Sequence, residues 1–320
     1  MSKPAVSVII PTHNRAALLR EALDSVAEQT WRDYETIVVD DGSTEDIARD
    51  IADHPARPMV VRQQHSGPAA ARNRGLREAQ ADTIAFLDSD DLWHAAKLET
   101  FCRALEREPD TRVFYGPMEP IDAGKRRVPG RTKPCHAGRI THHLFCSSFV
   151  HVPTVVCRKD ILIKAGGFDE SLPVCEDYDL WLRVSIDEPF GLIEQPLAMR
   201  RLHDNRLSKH RMSRNLAVKA AVLCKFYESP RAKPLIPEAR AHARLARVHF
   251  VAARAAFRNG EYHRAIELCR ASRRFGANPL RAIPLALSAS ALSHFDRNDQ
   301  DVRRIPVQDQ EAEPLLKQDA

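Results

Sequence analysis

Short apolar runs alternate with segments of helical period through the first ninety or so positions. Val6-Ser7-Val8-Ile9-Ile10 is a run of β type that stops at Pro11. Leu19, Ala22, Leu23, Val26 and Ala27 then recur at helical spacing, with Asn14 placed as the N-cap of that helix. A second run, Glu35-Thr36-Ile37-Val38-Val39, ends at Asp40-Asp41-Gly42-Ser43, and a short helix is expected near 47–52. A strand over 59–62, a loop from Gly67 feeding a helix, and a strand over 83–87 complete the alternation. Strands bounded by helices, each continuously apolar, predict a parallel sheet covered on both faces.

In such sheets, ligands sit beyond the carboxyl ends of the strands. Three of the expected strands end there in polar signatures: Pro11-Thr12-His13-Asn14-Arg15, Asp40-Asp41-Gly42-Ser43 and Asp88-Ser89-Asp90-Asp91. If the fourth strand continues through its acids, Asp88 and Asp90 share one face. Two carboxylates so placed repel unless a cation or donors lie between them. Hard ions such as Mg²⁺ are held by one or two carboxylates, with substrate phosphates completing the shell. A metal–diphosphate site is one reading of this segment; a solvated acidic turn is the other.

From about Asn205 the strand signals vanish and Ala, Leu and Arg dominate. Two helices, over 243–259 and 261–274, are expected to form a hairpin at Asn259-Gly260, with a single-copy likeness to a tetratricopeptide repeat. The division expected is an α/β domain over 1–205, a basic helical region over 206–295 and a disordered tail over 296–320.

Composition narrows the class. The 320-residue chain is 43% hydrophobic and 28% charged, as a globular protein is. No apolar run approaches the roughly 18 residues that span a bilayer, and the N-terminus has no signal-peptide layout. The seven cysteines form no CxxC pair, so neither a zinc site nor a disulfide framework is indicated, and a reducing cytoplasm fits best. The net charge of +5 is uneven: 211–285 holds 16 Lys and Arg against 4 Asp and Glu. That block is a solvated helical face, a dimer contact, or a surface for anionic lipid at the inner face of the cell membrane. Its few aromatics weigh against nucleic acid, which wants stacking platforms.

In this order the pieces resemble the inverting family-2 glycosyltransferases with the GT-A fold. The matching motifs are Val8–Arg15, Val38–Ser43, Ala71-Arg72-Asn73-Arg74-Gly75, Phe86–Asp91, Gly167-Phe168-Asp169-Glu170 and Glu176-Asp177-Tyr178-Asp179-Leu180-Trp181-Leu182-Arg183, across roughly residues 5–205. The resemblance implies a Rossmann-like, mostly parallel sheet flanked by helices, followed by the helical C-terminal segment. It also implies transfer of one sugar from a nucleotide-diphosphate donor, a UDP-sugar foremost, to a hydroxyl of a glycan or lipid-linked acceptor in cell-surface polysaccharide synthesis.

By the same resemblance, Pro11, Thr12, Asn14, Asp40 and Asp41 line the pocket for base and ribose. Arg72, with Asn73, borders the donor pocket. Asp88 faces ribose or the metal shell, and Asp90 is the metal carboxylate of the Asp-x-Asp motif, with Mn²⁺ or Mg²⁺ as the ion. His203 matches a position that completes the metal shell. Asp177 matches the base that takes the acceptor's proton; Glu176 is either that base or a hydrogen-bond partner of the acceptor. Asp177 also suits a helix N-cap or first turn. Two family features of processive synthases, a Gln-x-x-Arg-Trp motif and a transmembrane segment, are missing, which favours single-sugar transfer. The acceptor region, around 139–156, carries no readable code. The other readings are a sugar nucleotidyltransferase, which lacks its Gly-rich loop here, and a non-catalytic scaffold with a degenerate transferase domain and a partner-binding helical C-terminus.

Overall fold

A computed structural model of the chain describes residues 3–130, 133–202, 212–278 and 282–292. The elements run β1 (Val6–Thr12), α1 (Ala16–Ala27), β2 (Tyr34–Asp41), α2 (Ile47–Asp50), β3 (Met59–Gln63), α3 (Pro68–Glu78) and β4 (Thr83–Phe86). Then follow β5 (Leu92–Trp93), α4 (Lys97–Arg107), β6 (Val113–Tyr115), β7 (Met118–Ile121), α5 (Thr141–Cys146), β8 (Val156–Arg158), α6 (Lys159–Lys164) and α7 (Glu176–Asp187). The remainder is β9 (Phe190–Leu192), β10 (Ala198–Arg201), α8 (Met212–Glu228), α9 (Glu238–Arg258), α10 (Tyr262–Arg274) and a helix over 282–292, α11.

The main sheet has the order β3-β2-β1-β4-β8-β6-β9. β3, β2, β1 and β4 are parallel, as the alternating pattern predicts; β8 runs antiparallel between β4 and β6, so the sheet is mixed. Register brings the carboxyl ends level: Thr12 lies beside Asp40, and Asp40 beside Arg62. The period-2 pleat then sorts the strand residues into two cores. Ile9, Ile37, Val39 and Phe86 face α3 and α7; Val8, Ile10, Val38 and Leu87 face α1 and α4. α3 can lie this close to β1 only because position 75 is glycine: a Cβ there would sit 2.3 Å from Ile9 Cγ2.

The first of these cores runs on into the C-terminal helices. Trp181 of α7 belongs to the same buried cluster as Val222, Leu223 and Phe226 of α8 and Leu245 of α9. α9 starts at Glu238, five residues before the expected helix, and turns into α10 through Gly260 at φ +76°. Ala256, Ala265 and Ala289 form a small core joining α9, α10 and α11. The expected tail over 296–320 lies outside the described residues.

Two expectations change, and one element is new. β4 stops at Phe86, and Asp91 N–H closes a turn on Asp88 O at 3.0 Å, so the strand pleat does not set where Asp88 and Asp90 face. Asn14 is not the cap of α1. It sits in the left-handed region at φ +51°, Arg15 takes the N-cap position, and Glu45 Oε2 accepts the exposed N–H of Ala16 at 2.8 Å. A second sheet, β5-β10-β7, packs beside the first. Its strands, two to four residues long, are too short to show a period.

Candidate functional site

The loops that follow β1, β2 and β3 are joined to one another. Asn14 accepts from Thr44 N (2.7 Å) and Thr44 Oγ1 (3.0 Å) at Oδ1, while its own N–H donates to Ser43 Oγ (2.9 Å). Asp40, buried at the end of β2, accepts Ser43 N–H at 2.9 Å and faces Arg62 across 3.6 Å. Asp41 gathers the β3–α3 loop: Oδ1 accepts from Gln63 Nε2 and Ser66 N and Oδ2 from Gly67 N, all at 2.8 Å. His65 Nδ1 lies a further 2.9 Å from Oδ2. The Asp41 carboxylate thus accepts three hydrogen bonds that tie the β3–α3 loop to the end of β2. His13 and His65 stack beside it, centroids 4.2 Å apart, and both Nδ1 atoms donate to Asp41 O. Pro11 and Thr12 are buried in the same rim, and Thr12 Oγ1 has no hydrogen-bond partner among the described residues.

The second part of the site is a buried arginine fork. Arg72 on α3 donates from Nη2 to Asp88 Oδ1 and from Nη1 to Glu176 Oε1, both at 2.7 Å. It also lies 5.4 Å from the Phe168 ring centroid, and Phe168 packs edge-on against Phe86. The Gly-Phe-Asp-Glu motif therefore seats the guanidinium. Asn73 fixes that motif, donating to Phe168 O (2.9 Å) and Glu170 Oε1 (2.8 Å) and accepting Phe168 N–H (2.9 Å). It is a clamp on the loop before α7. Arg183, the last residue of the α7 motif, holds Ala165 O and Gly167 O, and Asp179 steadies it from one turn earlier.

The acids differ in environment. Asp90 is ion-paired to Arg15 at 2.9 Å. Asp91 is buried and accepts the N–H of Arg201 at 3.1 Å; burial, with the charges of Asp90 and Asp88, raises its pKa well above the carboxylate range. Arg201 braces the turn further, donating to Asp90 O (3.3 Å) and Glu21 Oε2 (2.7 Å). Asp88 is raised by burial and by Asp90 and Glu176 in spite of Arg72. Asp177 lies in the first turn of α7 behind Cys175, whose left-handed φ of +65° makes the N-cap. Burial, and then Glu176, push Asp177 up to about 7. Its Oδ1 accepts Tyr178 N–H at 2.7 Å. Trp181 is wholly buried core.

Among the described residues no group of three or more His, Cys, Asp and Glu side chains forms a metal cluster. Asp88 and Asp90 fit an ion that draws further ligands from a diphosphate: both offer hard oxygens from one turn, and their mutual repulsion is relieved by a cation. His203 lies outside the described residues.

A family model described as glycosyl transferase family 2 matches residues 7–163. The amylovoran biosynthesis glycosyltransferase AmsB of Erwinia amylovora is 30% identical over 213 residues, 62% of this chain and 70% of AmsB. The chain belongs to glycosyltransferase family 2. An uncharacterized glycosyltransferase of Rickettsia felis is 31% identical over 62% of the chain, and the match spans only 33% of that relative. Among solved structures, S. aureus TarS 1–349 in complex with UDP superposes with a TM-score of 0.64 at 18% identity, covering 92% of each chain. The mannosyltransferase PcManGT of Pyrobaculum calidifontis, in complex with GDP-Man and Mn²⁺, gives 0.56 at 20% identity over 94% of this chain and 83% of its own. At these identities the likeness is one of fold, and that fold is GT-A.

Within this family-2 glycosyltransferase, sequence motifs located the rim, the acidic turn and the start of α7. They missed Arg15 on Asp90, Arg201 behind Asp91 and the His13–His65 stack. His13 and Arg15 stand inside a quoted motif, so only their partners were hidden; Arg201 gave no signal beyond a doubled arginine.

Proposed function

We propose that this glycosyltransferase moves one sugar, with inversion, from a nucleoside-diphosphate donor to a hydroxyl acceptor. The observation that carries the proposal is the Arg72 fork, which ties the acidic turn to the start of α7 and so sets Asp177 beside Asp88. In this reading the rim of Pro11, Thr12, Asn14, Asp40 and Asp41 receives base and ribose, a UDP-sugar being favoured by the UDP complex of TarS. Asp88 and Asp90 hold Mn²⁺ or Mg²⁺, as the Mn²⁺ complex of PcManGT supports. The ion supplies charge neutralisation at the leaving diphosphate. Asp177 takes the acceptor's hydroxyl proton as its oxygen attacks the anomeric carbon, and Glu176 keeps Arg72 in place. A pKa of about 7 suits a base that works near neutrality.

The acceptor in this reading is a glycan or lipid-linked precursor of a cell-surface polysaccharide, in line with AmsB being named for amylovoran biosynthesis. No helix among the described residues is long and apolar enough to cross a membrane. We place the protein at the inner membrane face, with residues 1–205 as the transferase unit and the basic helical region over 206–295 on the lipid or on a second copy. The test is UDP release from a panel of UDP-sugars with and without Mn²⁺. Wild type should turn over in Mn²⁺, with Asp90→Ala and Asp177→Asn each lowering the rate at least a hundredfold; unchanged rates in both variants would overturn the assignment.

A further inference from the structure

Not all of the C-terminal basic excess faces solvent. Three cations from separate parts of the chain, Lys133 before α5, Lys219 on α8 and Arg244 on α9, converge with the imidazole of His151 near the start of α7. Lys219 Nζ stands 5.0 Å from the ring centroid of Tyr178, the residue next to Asp177. Arg244 lies against the same tyrosine, whose hydroxyl donates to Leu144 O at 2.8 Å and Phe145 O at 3.0 Å. Lys133 reaches Ser148 O at the end of α5. Lys133 and Lys219 are both close enough to Asp177 to feel its charge, and the guanidinium of Arg244 presses on both.

Among the described residues the cluster carries an excess of positive charge, with Asp177 as the acid that both lysines feel. Among the described residues no carboxylate forms an ion pair with Lys133, Lys219 or Arg244. The Nε of Arg244 is buried with no hydrogen-bond partner among them. Burial and the neighbouring cations push Lys133 and Lys219 below the usual ammonium range, and burial with Arg200, Lys133 and Lys219 takes His151 to about 4. Like charges held together in a partly desolvated place are costly, and an anion bound among them removes that cost. None of the four residues lies on the strand-end rim or the acidic turn.

We propose that this cluster is an acceptor subsite: the molecule whose hydroxyl meets Asp177 carries a phosphate group, received by Lys219, Arg244 and Lys133. Ammonium and guanidinium donors in a fixed array suit the tetrahedral oxygens of phosphate. The inference rests on the placement of Asp177 on the acceptor side, and it gives the helical region a share in choosing the substrate.

The test keeps the donor side filled. Protein saturated with UDP and Mn²⁺ is titrated by calorimetry with glycerol 1-phosphate, decyl phosphate, glycerol and glucuronate. Wild type should bind both phosphates and neither glycerol nor glucuronate; tighter decyl phosphate points to a lipid carrier, equal binding to a soluble or polymeric phosphate. Lys219→Gln and Arg244→Gln should each weaken phosphate binding at least fivefold while UDP binds as before, which also reports that they fold. Unchanged phosphate affinity in both variants, glucuronate binding as well as phosphate, or UDP excluding phosphate altogether would overturn the proposal. Failure of UDP to bind wild type would instead strike the donor reading, and the phosphate titrations would then be read on the unliganded protein.

Discussion

Arg72 Nη1 and Glu176 Oε1 meet at 2.7 Å although 104 positions separate them, and both side chains are nearly closed to solvent. The bond fastens α3 to the start of α7, and the same guanidinium holds Asp88 on the acidic turn. Removing one partner of a buried ion pair leaves charge uncompensated, at a cost of about 3–5 kcal/mol. Arg72→Met should therefore lower the unfolding free energy in urea by about that amount. Arg72→Lys should recover only part of it, since one ammonium cannot span both carboxylates. Equal stability of Arg72→Met and wild type would show that the fork does not hold these elements.

The raised proton affinity of Asp177 predicts how rate and stability vary with pH. A base must be ionised, so kcat/KM should fall as pH drops through about 7. Glu176→Gln removes the negative neighbour and should move that limb to lower pH. For stability the sign is opposite to that of an ordinary ion-paired acid. Between about pH 4 and 7 the folded state keeps a proton that the unfolded chain has lost, so stability falls as pH rises through that window. Asp177→Asn should then be more stable than wild type at pH 8, by about 1–2 kcal/mol once partial exposure is allowed for. Denaturant melts at pH 5 and pH 8 measure this; a variant no more stable than wild type at pH 8 contradicts it.

Lys97, at the first turn of α4, is fully buried with no hydrogen-bond acceptor among the described residues, its Nζ 4.1 Å from the Phe101 ring centroid and 5.0 Å from that of Trp93. Burial lowers its pKa to about 7. From there up to about pH 10 the unfolded chain binds a proton that the folded state has released, so stability rises with pH across that range. Lys97→Met keeps the packing volume and removes the charge. It should flatten this rise and stabilise the protein at pH 7 by about 1–3 kcal/mol, the two aromatic faces offsetting part of the ammonium's cost. Urea melts of both proteins at pH 7 and pH 9.5 decide it.

The strands that carry the rim were legible because each is buried on both faces and leaves an unbroken apolar run, as Ile37-Val38-Val39 does. β5, β7 and β10 were not, since four residues or fewer cannot display a period. The acids at 88, 90 and 177 could be named from motifs, but not their partners, because Arg72, Glu176 and Arg15 arrive from distant positions. Asn73 shows the limit of motif reading: its neighbour Arg72 faces the site, while Asn73 itself spends every side-chain bond on the loop at Phe168 and Glu170. Lys219 and Arg244 were visible only as part of a charge surplus, since their convergence depends on how α8 and α9 pack against α7.

The bonds of Asn14 to Ser43 and Thr44, and of Asp41 to Gln63, Ser66 and Gly67, bind three loops into one body. Loops that move independently must each be ordered by an incoming ligand, at an entropic cost that weakens binding. Here folding has met that cost in advance. A molecule entering the rim loses its own freedom but need not freeze the protein's, and backbone order parameters at residues 13–15, 42–44 and 63–67 should stay nearly constant when it arrives.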